Sequence, residues 1–301
     1  SRPTVPSWFS EQLPLSFDLA LEIGKFRRKM FEWLRKGKKK SEIKRYLKRV
    51  CHVDEFGANS IYEYFKVEYE FLRSIGIDDF PTDKTVLIEE FYDEFGRKNI
   101  VWHTLFGRRV NDALSRAFAY VISKKIRRNV GVAISDNGFL LILPVDKNVD
   151  PLEFVNSENL RNVLKEAIRK TELMKRRFRH CATRGLMILR NYKGHEIKVS
   201  RQQANAEILI KVASEIEDFP IIKETYREIL EDTMDVEHAE LVLKWIEEGK
   251  LRLRKIKTDI PSPFAHNIVL IGMSDVVLME DRREVLRRLY DEILRRVNRR
   301  K

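Results

Sequence analysis

Cysteine is nearly missing from this chain. Only Cys51 and Cys181 occur in 301 residues, with no paired spacing. That excludes a disulfide framework and fits a reducing, cytoplasmic setting. Glutamine is nearly as scarce, while Lys, Arg and Glu are abundant, a balance that suits a thermophile. No run of about 18 apolar residues is present, so no membrane span is expected. There is no signal peptide, and the chain starts Ser-Arg-Pro-Thr without an initiator methionine, so it reads as a piece of a longer protein. Catalytic motifs are missing too. No Gly-Xaa4-Gly-Lys-Ser/Thr loop holds nucleotide phosphates, and no Asp-Glu-Xaa-His box holds magnesium. A Gly-Xaa-Ser-Xaa-Gly elbow and metal-spaced Cys or His clusters are absent as well. The chain alone is therefore expected to be no enzyme, with no catalytic residues, no metal and no cofactor of its own.

What it has is positive charge. Charged residues make up 35% and hydrophobic ones 43%, with a net charge of +12 and a pI near 9.6. Such a balance favours a polyanionic partner. The length allows one large domain or two small ones.

Residues 1–14 are punctuated by proline and read as a linker from a preceding domain. Residues 15–301 carry the folded part, divisible into a mixed α/β part at 15–150 and a mainly helical part at 151–301. Apolar residues at helical spacing run through 15–80, and residues 25–49 hold 13 Lys and Arg against two Glu. This run reads as a solvated face that also attracts polyanions at long range. Thr85 to Tyr92 and Asn99 to Phe106 read as one hairpin, and Val130 to Ile134 and Phe139 to Leu143 as another, around Asn137-Gly138. The wholly apolar Phe139 to Leu143 predicts a central strand. Between the hairpins lies a helix from about Gly107 to Arg127. Residues 151–249 read as consecutive helices, with Ser200 and Gln203 as a capping box and Asp235 as a cap. Leu251 to Lys257 alternates like a strand, and a last helix runs from about Glu280 to Asn298. The fold class expected is α+β, an antiparallel sheet with packed helices followed by a mainly helical half.

Three features bear on function. On a helical wheel, Phe178, Cys181, Ala182, Gly185, Leu186, Ile188 and Leu189 share one side, with Gly185 open to a close backbone approach. Arg176, Arg179, His180, Thr183, Arg184 and Arg190 share the other. That second side reads either as a solvated face or as a row of guanidinium forks for phosphate. Arg108 and Arg109 open the helix at 107–127. They read either as part of a surface ion-pair ladder with Asp112 and Arg116, or as ligands for an anion beside free backbone N–H groups. Trp8, between Pro6 and Pro14, is either a pin for the linker or a stacking platform for an unpaired base. Glu89, Glu90, Asp93 and Glu94 read as an ordinary polar strand face, since their spacing makes the side chains diverge.

Several phrases together resemble the C-terminal part of the Lhr-type (large helicase-related) proteins of helicase superfamily 2. They are WFSEQLPLS from Trp8, FGRRVNDALSRAFAY from Phe106, RFRHCATRGLMILRNYKG from Arg177, SPFAHN from Ser262 and DVVLMEDRR from Asp275. The resemblance implies an archaeal-type accessory domain of a 3′-to-5′ ATP-dependent DNA or RNA helicase. It would form part of the channel for a single strand, beside RecA-like and winged-helix domains, with ATP and magnesium held by the motor rather than by this chain. The nucleic-acid ligands implied are Trp8, Arg108, Arg109, Arg176, Arg179, His180, Arg184 and Arg190. A non-catalytic docking module is the alternative.

Overall fold

The computed structural model describes residues 13–272 and 279–299, the side chains at 279–285 and 298–299 excepted. Trp8 and most of the expected linker lie outside the described residues, as does the first half of DVVLMEDRR. Three helices open the fold: α1 (Phe17–Arg35), α2 (Lys40–Val50) and α3 (Glu55–Ser74). Ser16 and Asp54 cap α1 and α3, each accepting from a backbone N–H three residues on. Then come β1 (Thr85–Tyr92), β2 (Lys98–His103), α4 (Arg108–Ile126), β3 (Gly131–Ser135) and β4 (Gly138–Leu143). The second half holds α5 (Leu160–Ile168), α6 (Glu172–Arg184), a short hairpin of β5 (Asn191–Tyr192) and β6 (His195–Glu196), and α7 (Val199–Ala213). After these follow α8 (Pro220–Arg227), a π-helical turn (Glu228–Thr233), α9 (Val236–Glu247), β7 (Arg252–Lys257), α10 (His266–Gly272) and α11 (Met279–Arg299).

The expected α+β class holds, and both hairpins form where turn chemistry predicts them. The sheet order is β3-β4-β2-β1-β7, so β4 is interior. Not all of the sheet is antiparallel. β7 joins β1 in parallel, with Ile88 opposite Lys255, because the chain returns to the edge through a series of helices rather than a turn. The helical half is interrupted by the β5–β6 hairpin, whose turn has Lys193 and Gly194 at positive φ. The capping box at Ser200 does not form, for α7 begins one residue earlier and Lys198 at its N-cap gives no side-chain bond.

Alternation decides the layers. Val86, Ile88, Ile100, Trp102, Phe139 and Leu141 point to one face and pack under α4, α5 and α9. Leu87, Phe91, Val101 and Leu140 point to the other, towards α1–α3 and α10. Glu89 shares this second face and is wholly buried, which corrects its reading as part of a polar strand surface. Its carboxylate accepts from Ser262 N (2.6 Å), Ser262 Oγ (2.8 Å) and Thr258 Oγ1 (3.1 Å), and lies 3.0 Å from His103 Nε2. Glu68 of α3 accepts from Phe264 N at 3.0 Å, and the Arg27 guanidinium lies over the Phe264 ring. The phrase Ser262 to Asn267 thus folds as a clasp over two buried carboxylates.

Burial, reinforced by repulsion from Glu89, pushes the Glu68 carboxyl up to about 8, from an ordinary value of 4.5. The folded chain therefore holds this proton more tightly than the unfolded chain does. The stability it confers is complete below pH 4.5 and is lost as pH rises through about 8. Glu68→Gln is expected to flatten that decline in melting temperature, with the largest gain over the parent chain above pH 8, at about 1.4 kcal/mol per unit of pKa removed. Melting curves of both proteins from pH 4.5 to 9 check this, and parallel profiles would refute it.

Candidate nucleic-acid interface

Thr171 caps α6, its Oγ1 accepting from Met174 N. The helix buries Phe178 and Ala182 against α7 and α8, Met174 in the main core with α4, α5 and α9, and Cys181 between Phe178 and Ala182 in sequence. The helix ends at Arg184, sooner than the wheel required. Gly185 N donates to Cys181 O at 2.8 Å, and Leu186 then takes φ +58° and stands 79% exposed. Of the large apolar residues assigned beyond Arg184, Ile188 alone is buried. Gly185 does mark a close approach, but by a side chain. A Cβ there would lie 2.6 Å from Ile221 Cδ1 of α8.

The opposite face splits into two sets. Arg177 and Arg184 converge on Glu228, a buried carboxylate in the π-helical turn, and Arg177 Nη2 also donates to Thr233 Oγ1 at 3.0 Å. Arg184, expected as a phosphate ligand, is thus an ion-pair partner here, and Glu228 is a residue that no local pattern singled out. Arg176, Arg179 and Arg190 form no ion pair or side-chain hydrogen bond among the described residues. Arg176 and Arg179 line a cavity of about 430 Å³ with Arg116, Lys175 and Gln203. Its two carboxylates, Glu172 and Glu207, are both drawn to Lys175, at 2.7 and 3.5 Å, leaving the arginines uncompensated. A second cavity of about 240 Å³ is lined by Arg177, His180, Arg184 and Arg190. Partial burial, then the charges of Arg179, Arg177, Arg190 and Arg176, hold the His180 imidazole below its ordinary value. An anion entering this cavity would reverse that field and favour the imidazolium.

The start of α4 is arranged differently. Asp136, from the β3–β4 turn, accepts from Leu15 N and Arg108 N, both at 3.0 Å, so the chain supplies its own anion to this helix N-terminus. Arg109 turns away. Its Nη2 donates to Glu231 O and to Met234 O (3.0 Å), tying α4 to the π-helical turn. Arg116 pairs with Asp112, as an ion-pair ladder requires, while Arg108 is exposed. The structure therefore brings together Arg176, Arg179, His180, Arg184 and Arg190, and places Arg108 and Arg109 apart from them at a self-capped helix end. Among the described residues no group of three His, Cys, Asp or Glu side chains could hold a metal ion. Nor is any described helix long and apolar enough to cross a membrane.

Residues 80–265 match the family described as DEAD/H associated. The chain is 49% identical over 299 residues to the ATP-dependent helicase Lhr-Core of Methanothermobacter thermautotrophicus, covering 99% of this chain and 34% of that protein. To the Lhr-Core helicase of Saccharolobus solfataricus it is 46% identical, across 97% of this chain and 34% of the relative. Its fold matches the Mycobacterium smegmatis helicase Lhr, solved with ssDNA and AMP-PNP, at a TM-score of 0.73 and 23% identity, over 87% of this chain and 32% of that one. The chain thus spans about a third of the length of these relatives.

Proposed function

From the premise that this chain belongs to the DEAD/H-associated family of Lhr-type helicases, we propose that it grips single-stranded DNA or RNA as one wall of the channel of a 3′-to-5′ ATP-dependent helicase. The observation that carries this reading is the pair Arg176 and Arg179, left without counter-charge on a rigid helix beside a cavity wide enough for a phosphodiester. Arg190 and His180 extend the same surface. Arg177 and Arg184 brace it through Glu228 rather than supply the main contacts. Trp8 stacks on an unpaired base in this reading, and RecA-like and winged-helix domains of the same polypeptide are its neighbours. ATP and magnesium belong to that motor, and this chain turns over no ATP.

Arg176→Ala combined with Arg179→Ala, in the full-length helicase, is expected to weaken binding of all single-strand sequences alike. Each phosphate ligand removed should reduce the slope of log affinity against log salt by about 0.7 unit. Anisotropy titrations at several salt concentrations make the measurement. An unchanged slope with unchanged affinity would leave the surface for protein docking. That second reading has its own support. Leu186, Val199, Ile208, Val212 and Ile216 are each more than half exposed along and beside α7, an apolar surface suited to another domain of the same polypeptide.

A further inference from the structure

A second cationic site lies on α2 and the start of α3, in a packing cluster that shares no residue with that of α6. α2 buries only Ile43 and Leu47. On its other side Ser41, Lys44, Arg45, Lys48 and Arg49 line a cavity of about 550 Å³ together with Glu55. Glu55 is the single carboxylate in that lining. Lys44 and Lys48 both bond it and hold it below the ordinary carboxylate range, Lys44 the more strongly. Arg45 and Arg49 have no side-chain partner among the described residues, nor do Lys36 and Lys39 just before them. The two arginines lie one turn apart, about 6 Å along the axis. Phe56, next to Glu55, is 80% exposed, and Val50 at the end of α2 is 47% exposed. An exposed aromatic ring one residue from the carboxylate that Lys44 and Lys48 bond, together with two unpaired guanidinium groups on α2, supplies the components of a single-strand site, where phosphates take the cations and a base takes the ring.

We propose that this corner is a second single-strand contact, with Arg45 and Arg49 on phosphates and Phe56 under a base. Glu55 keeps Lys44 and Lys48 in place over the groove, occupying the position that a further phosphate would take. A duplex would use the cations and leave Phe56 idle, since paired bases offer no free face. The proposal rests on the single-strand reading above only for the class of ligand.

The test uses the full-length helicase and a fluorescent oligothymidylate of about 30 nucleotides, long enough to span several sites of about 4–16 nucleotides each. Arg45→Glu with Arg49→Glu is expected to weaken binding roughly tenfold and to reduce the salt slope by about 1.4 units, for two phosphates at about 0.7 each. Phe56→Ala is expected to weaken it about tenfold with little change in slope, and Phe56→Trp to restore it. All three positions are exposed at the surface, and melting temperature serves as the control. Arg45→Gln with Arg49→Gln replaces the charge reversal where folding suffers. Normal affinity and slope in the α2 variants, with weakened binding in the Arg176/Arg179 pair, would overturn this proposal and leave the α6 reading standing. Weakened binding in the α2 variants with none in the α6 pair would support it and overturn the other. Equal binding of duplex and single strand, indifferent to Phe56→Ala, would overturn the stacking contact.

Discussion

Replacing Gly138 with alanine is expected to cost this fold at least about 3 kcal/mol, the range of severe single substitutions. The residue has φ +151°, and a Cβ there would lie 2.2 Å from the carbonyl oxygen of Trp102 and 3.1 Å from Ile268 Cδ1. The Ile268 methyl can shift by a few tenths of an ångström, but the Trp102 carbonyl cannot give way. Trp102 is locked in β2, opposite Phe139 on one side and Ile88 on the other, and Ile268 belongs to the α10 cluster under the sheet. Gly96→Ala is the control, since its φ of +70° strains any side chain but nothing lies within 4 Å. It should cost only the left-handed penalty of about 1–2 kcal/mol. Chemical denaturation of both variants measures the difference, and equal effects would mean that strand β2 moves aside without cost.

Glu89→Ala is expected to remove about 3–5 kcal/mol, the effect of breaking a buried, fully bonded charge. The carboxylate gathers Ser262 N, Ser262 Oγ and Thr258 Oγ1 and contacts His103, so its removal orphans several buried polar groups at once. Against a total stability of about 5–15 kcal/mol, that is a large fraction. Glu94→Ala, five residues on and exposed, should stay within about 0.5 kcal/mol. The ratio of the two effects is read from denaturant midpoints. Similar small effects would show that the clasp closes without its carboxylate.

Local chemistry is legible in the sequence, and long-range partnership is not. The 3.6-residue period places α4 and α11 within a residue or two, Asp235 marks the start of α9, and Asn137-Gly138 places a hairpin, because these signals live in adjacent residues. The end of α6 escapes the same reading because Leu186-Met187-Ile188-Leu189 continues an apolar run, although Gly185 offers a stop. The fates of the arginines are hidden for another reason. Arg184 and Arg177 meet Glu228, Arg109 meets Glu231 and Met234, and Arg108 N meets Asp136, all from distant parts of the chain. Arg176 and Arg179 carry no mark that separates them from Arg177 and Arg184; only the tertiary placement of carboxylates does. The buried state of Glu89 is equally hidden, since its acceptors are claimed by Ser262, 173 residues away.

The parallel pairing of β7 with β1 has a consequence for synthesis. Arg252 reaches Thr85 across 167 residues. At about 5–20 residues per second, a ribosome needs roughly 10–30 s to deliver the closing strand after β1 has emerged. For that interval β1 is a bare, mostly apolar edge, the kind of strand that pairs with the wrong neighbour. Its two acidic residues, Glu89 and Glu90, interrupt that apolar run with charge of the kind that discourages wrong pairing. One of them later becomes a fully buried carboxylate bonded to Ser262 and Thr258, so the charge that interrupts the edge during synthesis is the charge that locks it afterwards.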